Sequence, residues 1–409
     1  MERGDARSSV RPAVPLSDAP TTAPEASRHG GRPPPWRDVR TLAWAFQLIV
    51  LGVVVVAIAW LWDNFQVRTE QLNLPTGYSY LDQPAGFPIP GSDFRPTQPV
   101  SDALKEGFIN TLRLSITGIV LGTVLGVLIG VARLSQNFIV RSAARVYVEF
   151  IRNIPLVVLL VLIYIAVVLN MLPTPNDSWT LGPIAIVNVR GASIFWFEGG
   201  NLAILAAVVI AAVVAWLLAL WRRRVADRTG HPARSGLFAI GGGIVAFALC
   251  WLVFGLGGSS PELDGRRVSG GITMTPEYFA ALAALTIYTA SHIAEIVRGS
   301  IQAVPKGQGE AANSLALSGF QRLWYVVLPQ ALRIGIPPIG NQYLNLTKNS
   351  SLGAVISYFE VTKVTRTSIA NSAPAVPSFL LLLGIYLVLS LIISLFVNIA
   401  NRSVAVIER

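Results

Sequence analysis

Between Thr41 and Trp62 no residue carries a charge, and seven further stretches of the chain are nearly as poor in charge. A bilayer's hydrocarbon offers no partner to backbone N–H and C=O groups, so a spanning segment must satisfy them within itself, as a helix does. Such a helix needs about 17–25 mostly apolar residues. Runs near 41–62, 107–132, 150–172, 201–221, 236–257, 277–297, 333–358 and 379–400 meet that length, which predicts an all-α, polytopic transmembrane fold of about eight helices. Charged residues are only 13% of the chain, about half the ~25% usual in soluble domains. The seventh run holds Pro337, Pro338 and Lys348, a broken helix of the kind found only against protein or a wet cavity.

The loops set the expected orientation. With the N-terminus inside, twenty-one Lys and Arg residues fall on the cytosolic side and eight outside, so both termini are expected in the cytosol. Residues 1–40, rich in Pro, Ala, Ser and Arg, read as a disordered cytosolic tail, not a cleavable signal. After the first span (41–62), residues 63–106 form an external loop and 107–172 the first part of a core. Residues 173–275 read as an insertion with two plain Ala/Val/Leu spans around Arg222-Arg223-Arg224, expected at the lipid-facing periphery. Residues 276–403 complete the core, with a cytosolic loop at about 300–332, and 404–409 end the chain inside.

The net charge of +10 is spread over loops, which argues against a nucleic-acid partner. The lone Cys250 allows no disulfide framework. No Gly-Lys-Ser/Thr phosphate loop is present, so the energy for any transport comes from a partner or an ion gradient. Three His, one Cys and no paired carboxylates within a span give a membrane enzyme little to work with, and no metal site is expected. An ion-driven carrier is the alternative; it would carry an inverted repeat and a deep carboxylate, neither of which is evident.

Three constellations stand out. Gly118, Gly122, Gly126 and Gly130 recur every four residues in the second span, a spacing that lets two helices approach closely, either as fixed packing or as a sliding seam. Polar groups interrupt two spans: His292 and Glu295 in the sixth, Asn345, Lys348, Asn349 and Ser350 in the seventh. A charge in the bilayer is costly, so these groups face a cavity or a partner. Lys348 is the leading candidate for a transport pathway; Glu295 pairs as well with Arg298 one turn on, and Arg152 with Glu149. In the loop after the sixth span, Glu310 to Leu317 reads as a short helix with an acidic first turn and a smooth Ala311/Ala312 side, either a docking helix or an ordinary amphipathic loop.

That loop resembles the Glu-Ala-Ala motif of bacterial ABC-importer permeases. Glu310, Ala311, Ala312, Leu328 and Pro329 match, as does the nine-residue spacing from Ala316 to Val326. Ala316 stands where the family has glycine, and Gly319 follows three residues later. Arg152-Asn153-Ile154-Pro155 and Asn345 through Leu352 are similar to the long subunits of general L-amino-acid and glutamate/glutamine/aspartate/asparagine permeases. The likeness covers roughly 105–170 and 276–403. It implies a five-helix importer core of type I in the bacterial inner membrane, with no cofactor of its own. It also implies a second permease subunit in a heterodimer, a dimer of cytosolic ABC ATPases and a periplasmic amino-acid-binding protein.

Overall fold

A computed structural model describes residues 39–72, 75–198, 201–229, 235–265 and 267–404. The tail expected at 1–40, apart from its last two residues, and the end of the chain from 405 lie outside these. The chain divides into two units, parting between Leu74 and Pro75. The first unit contains one described helix, α1 (Val39–Gln71), apolar on every side over the expected span and ending on Arg68, a cation suited to the negative end of the helix dipole.

The second unit opens with a compact segment before α2 (Val100–Ala132). Tyr80, Phe87, Ile89 and Phe94 are buried there together with Val100, Ala103 and Leu104 of α2. The region expected as one loop at 63–106 is therefore the end of α1, this folded segment and the first turns of α2.

The third expected span is not one helix. α3 (Phe138–Arg152) and α4 (Leu156–Leu162, prolonged as a π-helix to Leu169) meet at a bend of 104°. Pro155 lacks an N–H and disfavours helical backbone at the residue before it, so the helix stops at Asn153 and restarts. α3 begins under the side chain of Asn137, which accepts from the N–H groups of Ile139 and Val140 at 2.9 and 3.3 Å.

The insertion is more than two spans. Four strands precede its helices: β1 (Trp179–Thr180), β2 (Ala185–Asn188), β3 (Gly191–Ile194) and β4 (Trp196–Glu198). The helices α5 (Asn201–Thr229) and α6 (Ser235–Val253) follow, then β5 (Gly257–Ser259), β6 (Glu262–Asp264), β7 (Arg267–Ser269) and β8 (Ile272–Met274). An antiparallel sheet in the order β1-β2-β3-β8 joins the two ends of the insertion, and β4–β5 and β6–β7 form two smaller ribbons. Strands of two to four residues are too short for an alternating pattern to betray them. α5 and α6 pack on each other around Ala207 and Cys250, with most other side chains exposed, as a lipid-facing hairpin requires.

The remaining elements are α7 (Pro276–Gln302), α8 (Lys306–Ser314), α9 (Gly319–Arg322), a π-helical stretch Leu323–Val327, α10 (Leu328–Asn349), a 3-10 stretch Ser350–Ile356, α11 (Val361–Ala370) and α12 (Ala375–Val404). Six described helices are long and apolar enough to span, and the bent α3–α4 pair passes the same test only when its two arms are counted as one span. α10, an unbroken helix of 22 residues, is more polar and holds Pro337 and Pro338; it falls outside that set and occupies the place of the eighth expected span. The sheet lies at the α7 N-terminal end of this unit and the α8–α9 loop at the other, called here the sheet end and the loop end.

Candidate functional site

The core is organised by the glycines of α2. A side chain on Gly118 would meet Leu346 of α10; one on Gly122, Gly126 or Gly130 would meet Thr289, Ile293 or Val297 of α7. All four sequence-chosen glycines therefore serve one face, which seats α2 on α7 and, at one end, on α10. On the same face Thr123 and Tyr343 share a hydrogen bond across α2 and α10 at 3.0 Å, and Thr117 and Tyr278 one across α2 and α7 at 2.9 Å.

At the sheet end of α2 the link before α11 is pinned by polar groups. Asn110 donates to the carbonyl of Phe359 at 2.9 Å, the Tyr358 hydroxyl donates to the carbonyl of Asn110 at 3.1 Å, and Thr111 Oγ1 accepts from the N–H of Val361 at 3.1 Å. Glu360 is fully buried. Its carboxylate caps α11 by accepting from the N–H groups of Thr362 and Lys363, each at 2.8 Å, and from the Tyr386 hydroxyl of α12 at 2.9 Å. It lies outside every candidate span, and burial pushes its pKa up to about 7 against those three bonds. The sequence offered no sign of this site beyond an acidic residue in a capping position.

The loop end carries an ionic cluster around Glu295. Its carboxylate accepts from Arg298, the pair read from the sequence, and from Arg133 just past α2. Arg152 at the end of α3 approaches to 3.9 Å. The expected Arg152–Glu149 pair is not among the ion pairs of the described residues; the bend after Arg152 turns that side chain toward α7. His292 lies one turn from Glu295, packs against Tyr288 with ring centres 4.7 Å apart and planes tilted by 58°, and has no hydrogen-bond partner at Nε2 among the described residues.

The polar residues of α10 divide in two. Asn345 and Lys348 are exposed, and Asn341, one turn earlier, extends their line along one face of the helix. Ser350 is fully buried and donates to the carbonyl of Thr347 at 2.7 Å, so it serves the core, and Asn349 is half-buried between the two sets. An exposed line of amides and an ammonium on a spanning helix cannot face hydrocarbon; it faces a partner or water.

The α8–α9 loop departs from expectation in two respects. The helix begins at Lys306 and ends at Ser314, so Glu310 sits in its middle and no acidic residue occupies its first turn. α8 ends in a Schellman turn: Leu317 N–H donates to Ala312 C=O, Ala316 N–H to Asn313 C=O, and Ala316 has φ +53°. That left-handed position is normally given to glycine, so Ala316 itself makes the turn. Gly319 instead opens α9, under a capping box between Ser318 and Gln321.

Ala312, expected on the smooth outer side, is 2% exposed. α8 packs on α9 and the π-helical stretch, tied by Arg322 to Asn313 at 3.1 Å and Gln330 to Gln308 at 3.3 Å. Its small side chain lets the loop close on itself. Ala311 and Glu310 face outward. Leu328 is half-buried where α10 begins, and Pro329 is exposed in its first turn, where a missing N–H costs no helical bond. The same loop exposes Leu315, Phe320, Trp324 and Tyr325, with Phe320 and Trp324 stacked at 6.1 Å. These aromatics were legible as residues but not as a surface, because nothing in their spacing fixes which way they point.

Residues 118–406 match the family model described as "binding-protein-dependent transport system inner membrane component". The chain belongs to this family. The matched region runs from the α2 seam through the insertion and the loop to α12. Among this permease's relatives is the putative amino-acid ABC transporter permease YhdX of Escherichia coli, 36% identical over 90% of this chain and 95% of its own length. The general L-amino acid transport system permease AapQ of Rhizobium johnstonii is 38% identical over 89% and 92%. The glutamate/glutamine/aspartate/asparagine transport system permease BztB of Rhodobacter capsulatus is 34% identical over 91% and 96%. All three align through the insertion, so in this permease it is part of the shared architecture.

Proposed function

We propose that this permease carries L-amino acids inward across the bacterial inner membrane as the spanning part of an ATP-driven importer. Both termini and the loop end face the cytosol; the sheet end faces outward and receives substrate from a periplasmic binding protein. A second permease subunit completes a heterodimer, and two copies of a separate ATPase supply the energy. The exposed line of Asn341, Asn345 and Lys348 faces the subunit interface, where the substrate passes. Closure of the ATPases moves the α8–α9 loop, and the tight seams of α2 and α10 on α7 convey that movement to the pathway as a rigid-body change.

The observation that carries this reading is the outer surface of the loop. Leu315, Phe320, Trp324 and Tyr325 are exposed where α8 ends, on α9 and on the π-helical stretch, with Phe320 and Trp324 stacked, in a loop otherwise fastened by polar contacts. Exposed aromatic side chains of this sort mark protein interfaces. Because Ala312 is buried within the loop, a large residue there would damage the loop itself. The informative position is Ala311, which is exposed on the same loop. With Ala311→Arg, a guanidinium forced into an apolar contact should lower ATPase co-purification by more than about ten-fold and abolish stimulated hydrolysis, while the chain still inserts. Undiminished ATPase binding and full transport would remove the docking role of this surface.

A further inference from the structure

Helix α3 has three faces with three different surroundings. Ala144, Val148 and Ile151 are buried against the core. Ile139, Val146 and Phe150, spaced seven and then four residues apart and so on one side, are exposed at 75%, 65% and 64%. The third side carries Arg145 and Arg152, two turns apart, with Glu149 and Ser142 beside them. No aqueous surface suits the second face and no hydrocarbon suits the third. A helix with an apolar and a basic exposed side belongs at the boundary between lipid and water, lying in its plane. The 104° bend between α3 and α4 fits that placement: with the apolar α4 directed into the bilayer, α3 lies near its surface.

Charge at this end is unbalanced. On α3, just past α2 and in the last turns of α7, Arg133, Arg141, Arg145, Arg152 and Arg298 are met among the described residues by Glu149 and Glu295 alone. Arg133 and Arg298 are engaged by Glu295, and Arg141 donates to the carbonyl of Ser135 at 2.8 Å. Arg152 has only the 3.9 Å approach to Glu295. Arg145 is exposed and has no ion pair or side-chain hydrogen bond among the described residues. Two turns of helix thus present two guanidinium groups with unused donors beside an apolar stripe.

We propose that α3 is an in-plane anchor that binds an anionic phospholipid. The headgroup phosphate sits between Arg145 and Arg152, and its acyl chains lie along Val146 and Phe150. A guanidinium suits a phosphate through paired N–H donors, and the apolar stripe favours a lipid over free phosphate. Because Arg152 also approaches Glu295, the headgroup would lean on the cluster that ties α2, α3 and α7 together. The inference requires only that the chain lies in a bilayer, which its family membership supplies, and is independent of the substrate and the ATPase.

The test is native mass spectrometry of the full-length chain in detergent, exchanged with equal amounts of dioleoylphosphatidylglycerol and dioleoylphosphatidylcholine. The wild type should retain phosphatidylglycerol preferentially. Arg145→Gln, at an exposed side chain with no structural partner, should lower that preference about five-fold, the worth of one arginine at an anionic surface, and Arg145→Lys should keep most of it. Equal retention of the two lipids by the wild type would overturn the proposal, as would an unchanged preference in Arg145→Gln. Displacement of the lipid by millimolar inorganic phosphate would make this a free-anion site instead. Loss of ATPase co-purification in Arg145→Gln with lipid preference intact would make the face a protein interface and also overturn it. None of these outcomes bears on Ala311, so the two readings fail separately.

Discussion

Glycine brings helices together at several contacts in this chain, and two of these, the α2–α7 seam and the α5–α6 hairpin, differ in what stands opposite. On the α2–α7 seam, a Cβ on Gly126 would lie 2.7 Å from the Cβ of Ile293 and 3.0 Å from the carbonyl oxygen of Ala290; on Gly130 it would lie 2.8 Å from the Cβ of Val297 and 2.9 Å from the oxygen of Ala294. Backbone and branched Cβ atoms cannot step aside. In the α5–α6 hairpin a Cβ on Gly242 would come within 2.0 Å of Leu218, but of its Cδ1, the end of a side chain that can change rotamer. The polar content follows the same division. The seam ends in the Glu295 cluster, and beyond its sheet end lies the buried Glu360, whereas α6 carries no charged residue. One region is built to fixed tolerances around polar groups; the other is held mainly by apolar contact, with the Arg222 guanidinium of α5 4.2 Å over the Phe238 ring of α6. Cys250, buried in the hairpin and alone in the sequence, makes the two separable: its rate of thiol alkylation, divided by that of the unfolded chain at the same pH, reports the hairpin, and the thermal unfolding midpoint reports the core.

The largest expected difference is in pH dependence. Glu360 has a pKa of about 7 in the folded chain against an ordinary 4.5. Below pH 4.5 the carboxyl is protonated in both states and its burial costs little. As pH rises through 7 the folded chain must hold a buried carboxylate, so stability falls across that window and levels off above it, by on the order of 3 kcal/mol. The midpoint should follow this curve, Glu360→Gln should flatten it, and the corrected alkylation of Cys250 should ignore it. If Cys250 becomes reactive along the same curve, hairpin and core unfold as one unit and the division fails.

A smaller effect comes from the seam itself. Gly126→Ala should destabilise the core by about 1–3 kcal/mol through overpacking, seen as a lower midpoint with Cys250 protection unchanged. A neutral result would mean that the helices can separate at little cost, which would favour the sliding-seam reading of these glycines over fixed packing. The smallest effect belongs to the hairpin. Gly242→Ala should alter Cys250 protection by no more than about 0.5 kcal/mol, because the gain in helix propensity offsets the movement of Leu218. A large loss of protection would place the hairpin under the same constraint as the seam.

Much of this architecture is legible in the sequence because lipid leaves so few alternatives. The spans stand out by length alone, and the α2 glycines declare a packing face by their spacing. The bend after α3 was also written there, in Asn153-Ile154-Pro155, but the apolar run continues through it and hides it. Other features depend on partners that spacing does not reveal. Glu295 could be matched to Arg298 three residues away but not to Arg133, 162 positions earlier. Glu360 gives no signal because its partners are two N–H groups and a tyrosine of another helix. Ala311 and Ala312 look alike as letters, yet one faces outward and the other is the hinge pin of a loop folded on itself. The short strands of the insertion carry too few positions each for a pattern, and one of their pairings, β3 with β8, spans some eighty residues.

From Gly319 to Asn349 the backbone is helical without interruption, passing through the π-helical stretch at Leu323–Val327. At about 1.5 Å per residue this is a rod of roughly 46 Å. One end carries the exposed Trp324 and the other the exposed Lys348, so one continuous helical backbone joins the two. Pro337 and Pro338 withhold two hydrogen bonds near its middle, and that is where the rod can flex. On the proposed coupling, movement at the aromatic end reaches Lys348 through the backbone of this one helix, less whatever bending the proline pair absorbs.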